Sequence, residues 1–324
     1  PGVYVLRENI IFNPNESNDF LPTASQISSG LYPVGTNGPY HLGFFAAIAV
    51  AAQDVVIHLN GFTIEQSTLH NLQQRFYAHI ELANSPFVPN QGPHSFIDSY
   101  VAANRVLVTG GTLGNSSHHG VHGNVANSVV IHNVTMNEFE VAGVALNGTI
   151  LGILSKLTLN GITKEIRVLS SYPQALFLRR HMENVSSPTV TLDLPGGSKT
   201  FANAITDINT DLNAAKAAVV AGNTPSNFMG NTTGKYDGNM YGIVLHVRGV
   251  VVNDFLTSRP ESAIGNQNIL VYDNSIRNIT THPVEIIALD TDGTPGVYGT
   301  KSQIGPFGDV LNMSEIIDIS GSKY

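Results

Sequence analysis

The 324 residues suffice for one sizeable core, and a hydrophobic content of 42% excludes ordinary disorder. Charged residues make up only 12%, about half the usual share; the net charge is −8 and no Lys/Arg cluster occurs, so nucleic acid and anionic membrane surfaces are poor partners. The absence of cysteine removes disulfides, thiol catalysis and Cys-based zinc sites, and the longest apolar run, Leu42 to Ala52, is too short to span a bilayer as a helix.

In chain order, Gly2 to Leu6 and Ile11 to Phe12 read as a strand pair, and 1–53 as a first coil or cap. The opening at Pro1, without a signal-like segment, reads as a mature or first ordered N-terminus. Leu42 to Ala52 fits a capping helix or a buried strand. Several segments then share one pattern: apolar alternation, a small polar turn, and alternation again. They are LNGFTIEQS (Leu59–Ser67), VTGGTLGNS (Val108–Ser116), IHNVTMNEF (Ile131–Phe139), VRGVVVNDF (Val247–Phe255) and YDNSIRNIT (Tyr272–Thr280), with LTLNGITKE (Leu157–Glu165) a looser member. Gly110 to Asn133 is 23 residues, Gly249 to Asn274 is 25, and Gly61 to Gly110 is 49, near twice that period. Val129-Val130-Ile131 followed by Asn133 is mirrored by Ile269-Leu270-Val271 followed by Asn274. Such a period with strict alternation predicts parallel strands wound into a stacked coil, with Val129, Ile131, Val134 and Met136 facing inward. Asn and Gly at the corners tolerate left-handed backbone, and stacked Asn side chains can bond from coil to coil.

Between about Lys164 and Tyr241 the pattern stops. Phe201, Ile205, Ile208, Leu212, Ala215 and Val219 recur at helical spacing, with Ser198 or Thr200 as N-cap and Gly222 as stop. Pro173 to Met182 reads as a shorter helix, and 223–239 as a loop. The stretch 164–240 is thus predicted to be a helix-and-loop insertion that decorates the body; the sharper alternative is a partner-binding or substrate-covering arm. Residues 291–324 read as a C-terminal cap, and 1–324 as a single domain.

These segments resemble the right-handed parallel β-helix superfamily, which includes pectate lyases, polygalacturonases, alginate epimerases and phage or viral tailspikes. The resemblance covers Asp54 to Asn160 and Tyr241 to Asp290, and it is one of architecture. SSHHGVHGN (Ser116–Asn124) followed by NEFEVAGVALNG (Asn137–Gly148) is similar to wording in β-helix proteins of algae and large algal viruses. The fold class it implies is an all-β right-handed parallel β-helix, a solenoid with a helical insertion. The superfamily's active-site motifs do not carry over. Asn209-Thr210-Asp211 falls in the predicted helix, Val121-His122-Gly123 matches the polygalacturonase His motif only in part, and Ser258-Arg259-Pro260-Glu261 lacks the acidic cluster of pectate lyases.

The best candidate for chemistry is His118, His119 and His122, followed one coil later by Glu138 and Glu140. A histidine beside a carboxylate serves as general base and acid on a sugar hydroxyl or a uronic-acid α-proton. The same groups could hold zinc, or simply cap a polar turn. Arg259, near Glu261 and Asp254, could neutralise a substrate carboxylate, or form an exposed ion pair. Asp290 and Asp292 read as a turn, with a calcium loop as the alternative. Arg75 and Glu81 read as a buried bridge. No cofactor is assigned; calcium and zinc are the ions these residues would admit. Asn-x-Ser/Thr sequons mark Asn15, Asn115, Asn147, Asn184, Asn231 and Asn312 as glycosylation candidates, while those at Asn133 and Asn278 fall on structural turns.

The first functional expectation is a non-catalytic β-helix glycoprotein of an extracellular or virion surface, structural or carbohydrate-binding. The alternative is a polysaccharide lyase or glycoside hydrolase acting on acidic polysaccharide. The partners expected are a polysaccharide or glycan surface and further copies of the chain, with no nucleic acid and no membrane span. The lack of Trp argues mildly against a sugar cleft, although Tyr can stack on a pyranose in its place.

Overall fold

The computed structural model describes residues 1–32, 39–73, 76–86, 100–163, 172, 175–176, 179–180, 182–183, 191–194, 196–221, 223, 240–246 and 266–286. Val247–Phe255, Arg75, Arg259, Asp290, Asp292, Asn184, Asn231, Asn312 and the 291–324 cap lie outside the described residues.

The strands in chain order are β1 (Gly2–Val5), β2 (Ile10–Phe12), β3 (Phe45–Ala49), β4 (Gln53–His58), β5 (Thr63–Gln66), β6 (Tyr77–Glu81), β7 (Asn104–Leu113), β8 (His119–Asn124) and β9 (Asn127–Phe139). They continue as β10 (Ala142–Asn147), β11 (Ile150–Ser155), β12 (Thr158–Gly161), β13 (Thr191–Leu194), β14 (Gly197–Thr200), β15 (Tyr241–His246), β16 (Gln267–Tyr272), β17 (Ser275–Arg277) and β18 (His282–Ile286). One sheet has the order β1-β4-β7-β9-β11-β16, with β2, β5, β12 and β17 extending its rows; a second has the order β18-β15-β10-β8-β6-β3. The pairings along both orders are parallel. β13 and β14 form a separate antiparallel hairpin.

The expectation of an all-β right-handed parallel β-helix is therefore corrected. The described residues form a mixed α/β arrangement, two parallel sheets with helices beside them, not closed into a solenoid. Alternation indicates which way residues face along a strand, but it carries no information on which distant strands pair or on how sheets are joined. The 49-residue interval from Gly61 to Gly110 is likewise corrected: it is one strand step, with Gly61 N donating to Gly110 O, and it is lengthened by the excursion through the helix Thr68–Gln73 and β6. β1 and β2 do not pair with each other; each pairs in parallel with a later strand, β4 and β5. Within Leu42 to Ala52, Leu42 ends a short 3-10 helix (Pro39–Leu42) and Phe45–Ala49 forms the strand β3.

One core is shared by the two sheets. Val55, Val106 and Val129 align across one sheet, as do Ile57, Val108, Ile131 and Leu154. Ile80, Val121, Val144 and Ile243 align across the other. All are buried in the same cluster, together with Val134 and Met136. The corners behave as the Asn and Gly content predicts. Gly110 and Asn133 have φ of 77° and 53°, and Asn160 and Asn278 side chains bond across strands at 2.6 Å.

One left-handed column is unexpected, because few of its members are Asn or Gly. Asp54, Arg105, Ser128, Leu151 and Asn268 have φ of 60°, 54°, 53°, 69° and 54°. They occupy one position on five adjacent strands, just after the aligned Gln53, Asn104, Asn127, Ile150 and Gln267. Leu151 is the member least suited to that backbone, and it is 49% exposed. Leu151→Asn should raise stability by about 0.5–1 kcal/mol, because Asn tolerates this conformation and little burial is lost. A urea midpoint that stays the same or falls would count against this.

The helix Phe201–Val220 begins as predicted: Thr200 Oγ1 accepts the Asn203 N–H at 3.2 Å. Its Leu212 and Ala215 pack on Tyr172 and Leu176 of the preceding helical segment. That segment is tied to the N-terminal region through Asp19, whose carboxylate lies 2.6 Å from Arg179 and 3.5 Å from the fully buried Arg180. No helix among the described residues is long and apolar enough to cross a membrane.

Candidate functional site

His119 and His122 are three residues apart, and in a regular strand they would face opposite sides. Both face outward from the β6–β8–β10–β15 sheet, with rings stacked at 5.1 Å and 8°. Glycine is the cause. The β8–β10 register pairs His119 with Ala142 and Val121 with Val144, passing over Gly120 and Gly143. The same break recurs between β10 and β15 at Gly242, and between β15 and β18 at Pro283. A Cβ at Gly120 would stand 2.5 Å from Gly143 O, one at Gly143 3.0 Å from Gly242 O, and one at Gly242 2.4 Å from Pro283 O. Each of these glycines thus turns its missing side chain along the sheet into the next carbonyl, so that the residue before it (His119, Ala142, Tyr241) faces outward, the residue after it (Val121, Val144, Ile243) faces the core, and the next one is outward again.

The outward face this creates has two registers. Glu81, His122, Ala145, Val244 and Glu285 form one row; His119, Ala142, Tyr241 and His282 form the next. Ala142 and Ala145 make a low floor between the histidine wall on β8 and Tyr241 with Val244 on β15, two strand spacings or about 9–10 Å across. His122 Nδ1 lies 2.6 Å from Glu81 Oε2, and Asn147 Nδ2 points to His122 Nε2 at 3.5 Å while donating to Asn124 Oδ1 at 2.8 Å. One tautomer satisfies these contacts: Nδ1–H donates to Glu81, leaving the Nε2 lone pair toward Asn147. This is the arrangement of an oriented general base. His118 stacks on His119 at 3.9 Å and meets the Phe76 ring edge at 6.1 Å.

The predicted carboxylates are placed differently. Glu138 is on β9, in the other sheet, and its carboxylate accepts from Thr163 N and Oγ1 at 3.4 and 3.2 Å. Glu140 is buried at the bend into β10, where its N–H donates to Ser116 O. The carboxylate on His122 is Glu81, which lies 41 residues upstream and is only 2% exposed. A second group on the same face, His246–Glu285–His282, was missed by sequence reasoning. Glu285 Oε1 is 3.4 Å from His246 Nε2, and Oε2 is 2.8 Å from His282 Nδ1. Burial pushes the Glu285 carboxyl up, but the hydrogen bonds and charges of the two histidines outweigh it and hold it below its usual value. The spacing His-x-x-Glu at 282–285 was the available signal. Among the described residues no group of three or more His, Asp or Glu is placed to hold a metal ion.

Access is narrow. His118, His119 and His122 are 4%, 5% and 4% exposed, and the spaces on either side of the His119–His122 stack are each about 30 Å³. That admits a water molecule. A much larger polar opening, about 950 Å³, lies between Glu16–Leu21 and the helices, lined by Arg179, Asn209, Asn213 and Lys216 among others. Of the glycan candidates, Asn15 and Asn115 are half-buried, with amides bonded to Gln26 and Gln66 O. Asn147 is 4% exposed with its amide engaged, so a glycan has no room there. No known protein family, no curated protein and no solved structure matches the chain.

Proposed function

We propose that this chain is a non-catalytic protein of an extracellular or virion surface, a rigid scaffold that binds glycan. The observation that carries this is the burial of the His119–His122–Glu81 group beside spaces of about 30 Å³. A cleft for a sugar needs roughly 300–1,000 Å³. The opening lined by Asn209, Asn213, Arg179 and Lys216 has that size and is polar, which suits hydroxyl and carboxylate groups of an acidic glycan. The low charge agrees with a surface location.

The enzymatic reading has one observation in its favour, the 2.6 Å contact between His122 and Glu81, which orients a base. A depolymerisation screen on alginate, pectate and sulfated algal polysaccharides, with and without calcium and zinc, separates the two. The expected result is no unsaturated uronate and no new reducing ends. Retention of the chain on at least one immobilised acidic glycan is also expected, weakened several-fold by Asn213→Ala and Lys216→Ala. Turnover that disappears in His122→Gln and Glu81→Gln would replace the scaffold with an enzyme.

A further inference from the structure

Five charged side chains line the polar opening of about 950 Å³: the carboxylates of Glu16, Asp19 and Glu183 against the cations Arg179 and Lys216. Arg179 is committed. Its guanidinium lies 2.6 Å from Asp19 Oδ2 and 3.7 Å from Glu183 Oε1, and it donates to Asn209 Oδ1 at 2.9 Å. Arg180, fully buried, donates to the Asp19 carbonyl and is closed to a ligand. Lys216 has no carboxylate partner among the described residues. Its Nζ stands 5.9 Å from the centroid of the buried Phe20 ring, a contact that places the ammonium and leaves its N–H donors to a ligand.

Asn209, Asn213 and Lys216 stand at i, i+4 and i+7 on the helix Phe201–Val220, so they share one face over about 10 Å, the length of a disaccharide. Lys216 is at one end of this stripe. At the other end Arg179 occupies the Asn209 carbonyl and brings Glu183 alongside, while the Asn209 Nδ2 donors remain for a hydroxyl. We infer that the opening selects a glycan with one anionic group in every two sugar residues, the anion on Lys216 and the neutral residue along Asn213 and Asn209. This rests on the glycan-binding reading and names its substrate class. A second anion, on the adjoining residue, would face Glu183, and it could reach Arg179 only by displacing Asp19. A polyuronate meets that repulsion at every second unit, and a neutral glycan leaves the Lys216 charge unused.

Isothermal titration calorimetry of the intact chain at low ionic strength tests it with three size-matched oligosaccharides. One alternates glucuronate with N-acetylglucosamine, one is polygalacturonate, and one is neutral poly-N-acetylglucosamine. The alternating chain should bind about three- to five-fold tighter than either of the others, the size of one exposed charge interaction. Lys216→Gln should erase its advantage over the neutral oligosaccharide. Glu183→Gln should erase its advantage over polygalacturonate. Neither side chain is buried, and thermal melting checks that both variants fold. Either preference missing from the parent, or surviving its own substitution, overturns the inference and leaves the glycan-binding reading in place. Absence of binding to all three overturns both.

Discussion

At pH 5 the protein should be less stable than at pH 7.5 by about 4 kcal/mol, and two buried histidines should account for it. His70 is fully buried within the rings of Phe12, Phe20, Phe45 and Tyr77, with centroids 4.9 to 5.8 Å away. Its Nδ1 accepts from Gln66 Nε2 at 2.7 Å, and its Nε2 has no hydrogen-bond partner. Burial, with a smaller contribution from the Arg180 charge, pushes its pKa down to about 3. His79 donates from Nε2 to Gly114 O and accepts from the Tyr77 hydroxyl at Nδ1. Burial brings it to about 4, although the Gly114 bond works the other way.

Both folded values lie below the unfolded value of 6.5, so between those limits the unfolded chain binds more protons. Stability is complete above pH 6.5 and falls as the pH drops through the window. At pH 5 the gap is about 1.5 pH units, or about 2 kcal/mol per histidine. That is a large share of a typical stability of about 5–15 kcal/mol. The Glu285 carboxyl is also held below its usual value, but its effect begins near that value of 4.5 and does not reach pH 5 strongly. Urea denaturation at the two pH values reads the difference. His79→Gln and His70→Gln, compared with the parent at each pH, should each remove about half of it, whatever they cost at pH 7.5. Equal stability at both pH values would refute the assignment of neutral buried histidines.

The sequence made part of this arrangement legible and concealed the rest for identifiable reasons. Residues facing the core were readable because they repeat with the strand period: Val129, Ile131, Val134 and Met136 are all buried. The mirrored Val129-Val130-Ile131 and Ile269-Leu270-Val271 do share rows, through their common neighbour β11. The helix Phe201–Val220 was readable from its own period and cap. Connection between the sheets was not, because a period is local and closure is not, and the β-helix expectation failed there. The histidine pattern set Glu138 beside His122, whereas the carboxylate in contact with His122 is Glu81. Glu138 was favoured by its distance along the chain, yet it stands on the other sheet. Glu81 meets His122 through the pairing of β6 with β8, and pair choice between strands 41 residues apart leaves no local mark. Nor does alternation predict that His119 and His122 share a face, since it assigns them to opposite ones.

That shared face depends on the glycine file, and alanine there should be among the most damaging of small substitutions. None of Gly120, Gly143 and Gly242 has a positive φ, so the constraint is space and not backbone conformation. Gly120→Ala sets its Cβ 2.5 Å from Gly143 O and 2.7 Å from Met136 Sδ. The sulfur can move, but the carbonyl is held in a sheet buried on both faces, so β8 must lift away from β10. Loss of ladder bonds and core contact should cost about 3 kcal/mol or more. Gly242→Ala, at 2.4 Å from Pro283 O, belongs in the same class. Gly143→Ala meets Gly242 O at 3.0 Å and Leu159 Cδ2 at 3.1 Å, where a few tenths of an ångström relieve the contact, and about 1–2 kcal/mol is expected. Gly196→Ala has no atom within 4 Å and should be neutral or slightly stabilising. The order, with Gly120 and Gly242 above Gly143 and Gly143 above Gly196, is the testable content, read as four denaturation midpoints. Four similar midpoints would mean that the strands are not held at this spacing, and that the stacking of His119 on His122 has another cause.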